Sequence, residues 1–354
     1  MSSEKTMKEV VGHWGPRFWV AGVDPNDLEI LLNNIQDWDD WLEKWNKFGD
    51  FHYQLGEEAI AAGNTATAAD AYVRASMYYH FGQFMFFHRP QEKKEAIIKR
   101  VNAYAKGAPY FSVPAQAVEI PFENTTLPAY LRLVDSPKPG PCVIVLPGAD
   151  SSKEQIHTME NVFLARGMST LGMDGPGQGI TRFQMPMRQD YYKAVNSAVD
   201  YLVHCGKVDP EQISLVGTSF GGFLALQAAC FEPRLQSAAA VGGFYSFREW
   251  DSYSDLMKNN FTNLFGKENW DEAKEFSKGL TLEGILNQVK CPLMVVHGRL
   301  DKIAPVETLE RIKEEAATEV ELVIYDQGNH VCNNIAYLYR PLIADWTKKK
   351  LTKK

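Results

Sequence analysis

The first third of the chain carries apolar residues at helical spacing. After the helix-opening pair Asp24-Pro25, apolar side chains recur every three or four residues from Leu28 to Trp45. Gly63-Asn64 then separates two further helical patterns. The helices predicted after the first lie at about 48–62, 65–87 and 91–105. Together these patterns predict an all-helical N-terminal domain over residues 1–113.

The pattern changes after residue 113. Two alternating segments, Ala117–Ile120 and Ala129–Val134, predict an antiparallel pair of strands. Six short apolar runs follow, separated by amphipathic stretches: Cys142–Leu146, Ser169–Met173, Ile213–Val216, Ala238–Val241, Leu293–Val296 and Leu322–Tyr325. Strand–helix alternation is typical of an α/β fold, with a mostly parallel sheet flanked by helices. We therefore predict a catalytic α/β domain over 114–354, with a helical insertion at about 247–289.

Charge and cysteine content narrow the class of protein. The 37 basic and 44 acidic residues give a formal charge of −7, which argues against nucleic acid or an anionic membrane as the main partner. The five cysteines form no C-x-x-C pair, as expected for reduced thiols inside a cell. No apolar run approaches the roughly 18 residues of a membrane span. We expect a cytoplasmic protein that acts on a small molecule.

The sequence Gly217-Thr218-Ser219-Phe220-Gly221 lies between a predicted strand and a predicted apolar helix. This is the G-x-S-x-G pattern in the strand–turn–helix setting that exposes a serine above a sheet. The glycines are needed because the turn brings neighbouring backbones close together. The helix N-terminus also favours developing negative charge. Ser219 is therefore the candidate nucleophile, and the alternative is a serine that caps a buried helix.

A serine nucleophile needs a base, and the base needs a carboxylate that fixes its tautomer. In the chain order Ser…Asp…His of such hydrolases, Asp301 and His330 are the candidates. Each follows the carboxyl end of a predicted parallel strand, where open α/β sheets bind their ligands. For the oxyanion, which needs two N–H donors, we expect the amides of Phe220 and of Ala149.

Other polar groups are predicted to have no chemical role. Gly175–Gly179 superficially resembles a phosphate-binding loop but lacks the G-x-G-x-x-G spacing, so a loop at the rim of the site is expected. His80 and His88 have no carboxylate at ligand spacing and are expected to pack or to line a cavity. We expect no metal and no cofactor. The remaining histidines singled out are expected to be structural: His13, His52, His157, His204 and His297.

With these residues placed, the chain resembles the α/β-hydrolase superfamily over about 115–354. Three motifs extend the resemblance into the N-terminal third: Gly22–Asp27, Asp37–Trp41 and Tyr78–Phe81. They resemble the helical domain of a narrower group, which contains 2,6-dihydroxypseudooxynicotine hydrolase, fungal polyketide-shortening hydrolases and fermentation-respiration switch proteins. The resemblance also includes Asp174–Gly179 and spans nearly the whole chain.

The resemblance implies further site residues. In the pseudooxynicotine hydrolase a glutamate soon after the sixth strand joins the triad, and Glu249 occupies the matching position. The resemblance also implies a substrate cavity between the helical domain and the hydrolase core, and a homodimer. Aromatic residues near these regions suit a flat aromatic substrate and equally suit core packing. The candidate substrate-binding residues are His80, Phe81, Phe84, Phe244 and Tyr245.

Three functions are consistent with these residues. The first is hydrolysis of a C–C bond next to a ketone, through an acyl-enzyme on Ser219 and with help from Glu249 at the leaving carbon. The second is ordinary ester or amide hydrolysis by the same machinery, in which Glu249 takes no part. The third is a non-catalytic regulatory protein on a hydrolase scaffold, as the switch-protein relatives suggest.

Overall fold

The computed structural model describes Gly12, residues 14–304 and residues 306–352. His13 lies outside the described residues. The chain divides into two compact units. One comprises Met1–Gln116 together with Glu154–Thr158, and the other comprises Ala117–Lys153 and Met159–Lys354. From the sequence pattern we predicted the boundary between the two domains at residue 113, whereas the first unit extends to Gln116.

The first unit is helical. Asp24 caps the second helix, because its side chain accepts the N–H groups of Asn26 and Asp27. This bears out the predicted start of that helix. The helices of the unit are α1 over 14–21, α2 Pro25–Asn33, α3 Trp38–Ala61, α4 Thr65–Gln83 and α5 Pro90–Gly107.

The predicted boundary between the first two helical patterns is wrong. The apolar pattern predicted one helix through Trp45 and a new one from about residue 48, but α3 runs without a break from Trp38 to Ala61. The break lies earlier, where Asp37 accepts the N–H groups of Asp39 and Asp40 and so starts α3. The apolar spacing conceals this break because it continues from α2 into α3.

The second unit contains an eight-stranded sheet with the strand order β1-β2-β4-β3-β5-β6-β7-β8. Strand β2 runs antiparallel to β4, whereas β3 to β8 pair in parallel. Each predicted apolar run forms one strand. The strands are β1 Ala115–Phe122, β2 Thr125–Arg132, β3 Gly140–Leu146, β4 Ser169–Met173, β5 Val208–Thr218, β6 Ser237–Val241, β7 Leu293–Gly298 and β8 Val320–Tyr325.

Helices flank this sheet, which confirms the predicted α/β fold. They are α6 His157–Leu164, α7 Tyr192–His204, α8 Phe220–Phe231, α9 Asp255–Phe265, α10 Trp270–Ser277, α11 Glu310–Glu315 and α12 Ala336–Leu351. Helices α9 and α10 lie in the segment between β6 and β7. The ends of that segment meet, since Ser246 and Thr281 form an antiparallel bridge.

The central strands form the core of the second unit. In β3 every residue from Cys142 to Leu146 is fully buried, and β6 is buried along its whole length. Helix α8 is buried from Phe220 to Cys230. Continuous apolar strands of this kind have both faces covered, and each large side chain contributes about 1.5–3 kcal/mol on burial. Within 14–304 and 306–352, no helix combines the length and apolar character needed to span a membrane.

Candidate active site

Ser219 lies in a sharp turn between β5 and α8. Its backbone has a φ of 55° and a ψ of −124°, a conformation that a residue with a side chain adopts only under strain. Its N–H donates to the carbonyl of Val241 at 2.7 Å, which ties the turn to the end of β6. The predicted strand–turn–helix setting of the serine is therefore confirmed.

The glycines on either side of Ser219 lie in close backbone contact. A Cβ on Gly217 would lie 1.9 Å from the carbonyl oxygen of Gly221. A Cβ on Gly221 would lie 2.5 Å from the carbonyl oxygens of Leu146 and Pro147. Backbone atoms cannot move aside cheaply, so only glycine fits at either position. These contacts hold the start of α8 against the end of β3.

His330 connects the serine to a carboxylate. Its Nε2 lies 2.8 Å from Oγ of Ser219, and its Nδ1 lies 2.7 Å from Oδ2 of Asp301. The structure thus brings together three residues that lie far apart in sequence. Asp301 and His330 follow the carboxyl ends of β7 and β8, as predicted from the order of the strands.

The loops after β7 and β8 are in direct contact. A Cβ on Gly298 would lie 2.2 Å from the carbonyl oxygen of Gly328. The N–H of Leu300 donates to the same oxygen at 2.9 Å. Beyond His330, Val331 and Cys332 have φ values of 59° and 51°, which are uncommon for residues with side chains. His330 is therefore held by a tightly constrained turn.

The carboxylate of Asp301 is buried and fully hydrogen-bonded. Its Oδ1 accepts the N–H groups of Ile303 at 2.8 Å and Ala304 at 3.0 Å. Burial acts to raise the pKa of Asp301, but it is outweighed by the charge and hydrogen bond of His330, together with His297 and the N–H of Ala304, so the pKa is lowered overall. The ionised carboxylate can therefore hold Nδ1–H of His330 and leave Nε2 free to accept a proton.

The two predicted oxyanion donors lie in segments beside Ser219. The N–H of Phe220 is the first in α8, and the first four N–H groups of a helix have no acceptor within the helix. Ala149 is buried in the loop that follows β3. Next to it, a Cβ on Gly148 would lie 3.7 Å from Oγ of Ser219, which places this loop against the hydroxyl.

Glu249 lies at the start of the segment between β6 and β7 and is exposed. Its carbonyl oxygen accepts the N–H of Ser252 at 3.0 Å and the Oγ–H of Ser252 at 2.7 Å, so the backbone turns immediately after it. Burial, together with the charge of Glu249, raises the pKa of the nearby Tyr253. The carboxylate itself thus lies in an accessible part of the second unit.

An aromatic cluster borders His330. The ring of Phe244 lies 6.4 Å from the His330 ring and 4.4 Å from Phe247. Phe244 also lies 6.4 Å from Tyr253, whose buried hydroxyl has no hydrogen-bond partner among the described residues. Of the two predicted substrate-binding residues on this segment, Phe244 therefore lies near His330. The hydroxyl of Tyr245 instead donates to Glu315 at 2.6 Å.

The three candidate substrate-binding residues of the helical unit are fully or almost fully buried on or beside α4. Phe81 packs 4.7 Å from Phe18, and Phe84 packs 5.7 Å from Phe81, measured between ring centroids. His80 lies 4.8 Å from the ring of Phe81. These residues contribute to the aromatic interior of that unit.

Sequence analysis missed the contacts made by the loop Gly175–Gly179. We predicted only a loop at the rim, but Gln178 is fully buried and its Nε2 donates to the carbonyl of Pro147 at 2.7 Å. The sequence offered one signal for this contact. Gln178 lies between two glycines in the loop after β4, a strand that runs parallel to β3 and ends at the same edge of the sheet. Its acceptor lies 31 residues away in sequence, so no local pattern reveals the contact.

Metal binding finds no support in the described part of the chain. Over 14–304 and 306–352, no group of three or more His, Cys, Asp or Glu side chains is arranged to hold an ion. His88 lies on the surface, with Nε2 3.0 Å from Oδ1 of Asp39.

Two family models match the chain. The prolyl oligopeptidase family matches residues 167–354, and the FrsA-like esterase family matches residues 34–249. Among individual proteins, 2,6-dihydropseudooxynicotine hydrolase of Paenarthrobacter nicotinovorans is 32% identical over 348 residues, which cover 98% of this chain and 94% of the relative. Hydrolyase poxO of Penicillium oxalicum is 35% identical over 229 residues, which cover 60% of this chain and 53% of poxO.

Solved structures agree with these matches. The crystal structure of 2,6-dihydroxy-pseudo-oxynicotine hydrolase superposes with a TM-score of 0.89 at 30% identity and covers 95% of each chain. AbyA5 superposes with a TM-score of 0.76 at 17% identity, a likeness of fold alone. The chain is therefore an α/β-hydrolase enzyme, a member of the family that includes 2,6-dihydropseudooxynicotine hydrolase and the FrsA-like esterases.

Proposed function

We propose that this enzyme cleaves a C–C bond next to a ketone, in an aromatic or polyketide-like small molecule, through an acyl-enzyme on Ser219. The observation that carries the catalytic part of the proposal is the position of His330. Its two ring nitrogens lie 2.8 Å from Oγ of Ser219 and 2.7 Å from Oδ2 of Asp301. A base held in one tautomer beside a serine hydroxyl is what nucleophilic attack on a carbonyl requires.

In the proposed mechanism, Nε2 of His330 takes the Ser219 proton while Oγ bonds to the carbonyl carbon. The oxyanion that forms accepts hydrogen bonds from the N–H groups of Phe220 and Ala149. When the carbonyl reforms, the C–C bond breaks, and the leaving carbon takes its electron pair and then a proton from His330. His330 next deprotonates a water molecule that attacks the acyl group, which releases a carboxylic acid and restores Ser219.

The choice of a C–C bond depends on the resemblance and on Glu249. A carbon leaving group is a poor one, so its protonation needs more help than that of an alkoxide. The relative named 2,6-dihydropseudooxynicotine hydrolase aligns with 98% of this chain. In that group, as the resemblance implies, a glutamate at the position of Glu249 joins the triad. Here the exposed Glu249 follows β6, as Phe244 does, and its charge acts on Tyr253 of the aromatic cluster.

The first test is covalent labelling of Ser219. A fluorophosphonate should form an adduct on Ser219 in the folded protein, because the proposed site generates an activated hydroxyl. Ser219→Ala should abolish the adduct, and Ser252→Ala, at an exposed serine, should leave it unchanged. If folded wild-type protein forms no adduct at Ser219, the non-catalytic regulatory function replaces this proposal.

The second test separates C–C cleavage from ester or amide cleavage. An aryl ketone with ortho hydroxyl groups and the matching aryl ester are given to wild type and to Glu249→Gln. We expect aryl-ketone cleavage to fall by about 10²-fold, the low end of general acid–base contributions, and ester cleavage to change little. Glu268→Gln, at an exposed glutamate of the same segment, is the control. Ester cleavage without ketone cleavage would favour a carboxylesterase.

We further propose that the enzyme is a cytoplasmic homodimer whose partner is a small-molecule substrate rather than nucleic acid. The five cysteines, all free thiols, support the compartment, and the formal charge of −7 supports a partner other than nucleic acid. The homodimer is what the family resemblance implies. Light scattering after gel filtration should give twice the chain mass of 39.9 kDa. A mass equal to a single chain would contradict the dimer and leave the catalytic proposal untouched.

A further inference from the structure

Gln178 contacts the loop that carries one of the proposed oxyanion donors. Its Nε2 lies 2.7 Å from the carbonyl oxygen of Pro147 and 3.5 Å from that of Gly148. Its Oε1 accepts the hydroxyl proton of Tyr191 at 2.5 Å. Both Gln178 and Tyr191 are fully buried, so water cannot replace these hydrogen bonds.

The orientation of these carbonyls determines where the neighbouring N–H groups point. In a trans peptide the C=O and the N–H point in opposite directions, and the described chain contains no cis peptide. The carbonyl of Gly148 belongs to the same peptide unit as the N–H of Ala149. That carbonyl accepts the N–H of Ser151 at 3.3 Å and lies 3.5 Å from Nε2 of Gln178, while the 2.7 Å bond of Gln178 fixes the preceding peptide at Pro147. With the Gly148 carbonyl held on that side, the N–H of Ala149 faces the opposite side.

A Gly148 carbonyl that pointed toward Ser219 would block catalysis. Gly148 lies against Ser219, since its Cβ would be 3.7 Å from Oγ. If the Gly148–Ala149 peptide turned over, a carbonyl oxygen would replace the N–H in front of the developing oxyanion. Two partial negative charges would then face each other in a buried site, where little water screens them. A glycine at this position makes such a rotation easy, so the direction of the Ala149 N–H depends on the bond from Ser151 to the Gly148 carbonyl and on the bond from Gln178 to the Pro147 carbonyl.

The loop that bears Gln178 is itself rigidly held. Asp174 accepts the backbone N–H of Lys153 at 2.8 Å and its Nζ–H at 3.0 Å, and both side chains are buried. The carbonyl of Asp174 accepts the hydroxyl of Thr181 at 2.8 Å. The loop after β3 is thus restrained at Pro147 by Gln178 and at Lys153 by Asp174.

We propose that Gln178, oriented by Tyr191, is a positioning residue that sets the Ala149 N–H toward the oxyanion. This inference depends on the proposed function, because it assigns a partner to one of the donors of that site. Gln178 does not touch the reacting atoms. It acts through the Pro147–Ala149 backbone.

The test compares p-nitrophenyl acetate with its thionoester, in which sulfur replaces the carbonyl oxygen. Sulfur is a weak hydrogen-bond acceptor, so an oxyanion hole accelerates the oxygen ester far more than the thionoester. In Gln178→Met the donor is lost and the volume is nearly kept. We expect kcat for the oxygen ester to fall at least about tenfold. The fall should stay below the ~10²–10³-fold loss that removal of a whole oxyanion donor causes. The thionoester should fall several-fold less.

Other readouts separate positioning from general damage. KM and the pH profile of Gln178→Met should stay near wild type, because Ser219, Asp301 and His330 keep their contacts. Tyr191→Phe should change the oxygen-to-sulfur ratio in the same direction but less. Gln227→Met is the control, since Gln227 is another buried glutamine that donates to a backbone carbonyl, that of Gln189 at 2.9 Å. It should leave the ratio unchanged.

Three outcomes would overturn the inference. One is a folded Gln178→Met that cleaves the oxygen ester at the wild-type rate, and another is an equal loss for both esters. If Gln178→Met does not fold, Gln178→Leu also removes the donor, and an unchanged ratio there is the third. Failure of the proposed function is distinct, because wild type would then cleave neither ester in a Ser219-dependent way.

Discussion

Nε2 of His297 lies 3.3 Å from Oδ2 of Asp301, the same oxygen that Nδ1 of His330 contacts at 2.7 Å. Nε2 of His297 also lies 3.0 Å from the carbonyl oxygen of Ala304, which can only accept, so this nitrogen carries the proton. Its Nδ1 is buried and has no hydrogen-bond partner among the described residues. His297 is therefore a neutral donor behind the carboxylate of the site.

This arrangement predicts a stability that depends on pH. Burial lowers the pKa of His297 below its ordinary value of 6.5. As the pH drops, the unfolded chain takes up a proton on His297 before the folded chain does. The free energy of unfolding therefore has its full value above about pH 6.5 and decreases below it. One such group gives a slope of up to about 1.4 kcal/mol per pH unit. Urea unfolding at pH 7.5 and 5.5 measures it.

The variant His297→Gln isolates this contribution. Glutamine can still donate to Ala304 but does not titrate, so the slope should decrease by up to one proton. Burial also lowers the pKa of His52, and His52→Gln should therefore remove a separate part of the slope. A wild-type slope that His297→Gln leaves unchanged would show that this histidine does not titrate differently on unfolding.

Asp301→Asn should lower kcat by about 10⁴-fold while the protein stays folded. The corresponding change in other serine triads has an effect of this size, because an asparagine amide stabilises the wrong tautomer of the histidine. Circular dichroism checks the fold, and fluorophosphonate labelling should slow in parallel with kcat. Labelling at the wild-type rate would mean that another group orients His330.

The strained backbone at Ser219 predicts an inverted order of stability. At ordinary positions glycine is about 0.5–1 kcal/mol less stable than alanine. At Ser219, with its φ of 55°, a side chain costs on the order of 1–3 kcal/mol. Ser219→Gly should therefore be more stable than Ser219→Ala by about 1 kcal/mol. Chemical denaturation of the two inactive variants measures the difference, and the ordinary order would contradict the strain.

The buried hydroxyl of Tyr253 has no partner among the described residues, so Tyr253→Phe should not weaken the fold. Burying an unpaired hydroxyl costs about 1–3 kcal/mol, and its removal should leave the free energy of unfolding equal or higher. Tyr245→Phe is the matched control. That hydroxyl donates to Glu315 at 2.6 Å, so its loss should cost about 1 kcal/mol. Equal losses in both variants would contradict this difference.

The parts of the fold predicted correctly have strong local signals. Six apolar runs and two alternating segments located the eight strands, and the glycines around Ser219 located the turn. Chain order pointed to Asp301 and His330 as neighbours of Ser219, and the structure brings the three together because parallel strands place their carboxyl ends at one edge. The break between α2 and α3 was misplaced, since the cap at Asp37 competes with an apolar pattern that continues across it.

Contacts that depend on the path of the backbone left no such signal. Gln178 donates to the backbone carbonyl of Pro147, 31 residues away in sequence. The residue type at position 147 does not indicate which group its carbonyl contacts. His297 was predicted to be structural, and its residue type gave no indication that it would reach the same oxygen as His330. Both contacts follow from how the loops meet at the sheet edge, which the sequence pattern describes only strand by strand.

The contact between Gly298 and Gly328 has a consequence for engineering. Because a Cβ on Gly298 would collide with the backbone at Gly328, neither loop can be rebuilt alone. A library that randomises only the segment bearing the base would mostly yield inactive clones. Productive redesign must exchange both segments together, so Asp301 and His330 have to be transferred between related proteins as a pair.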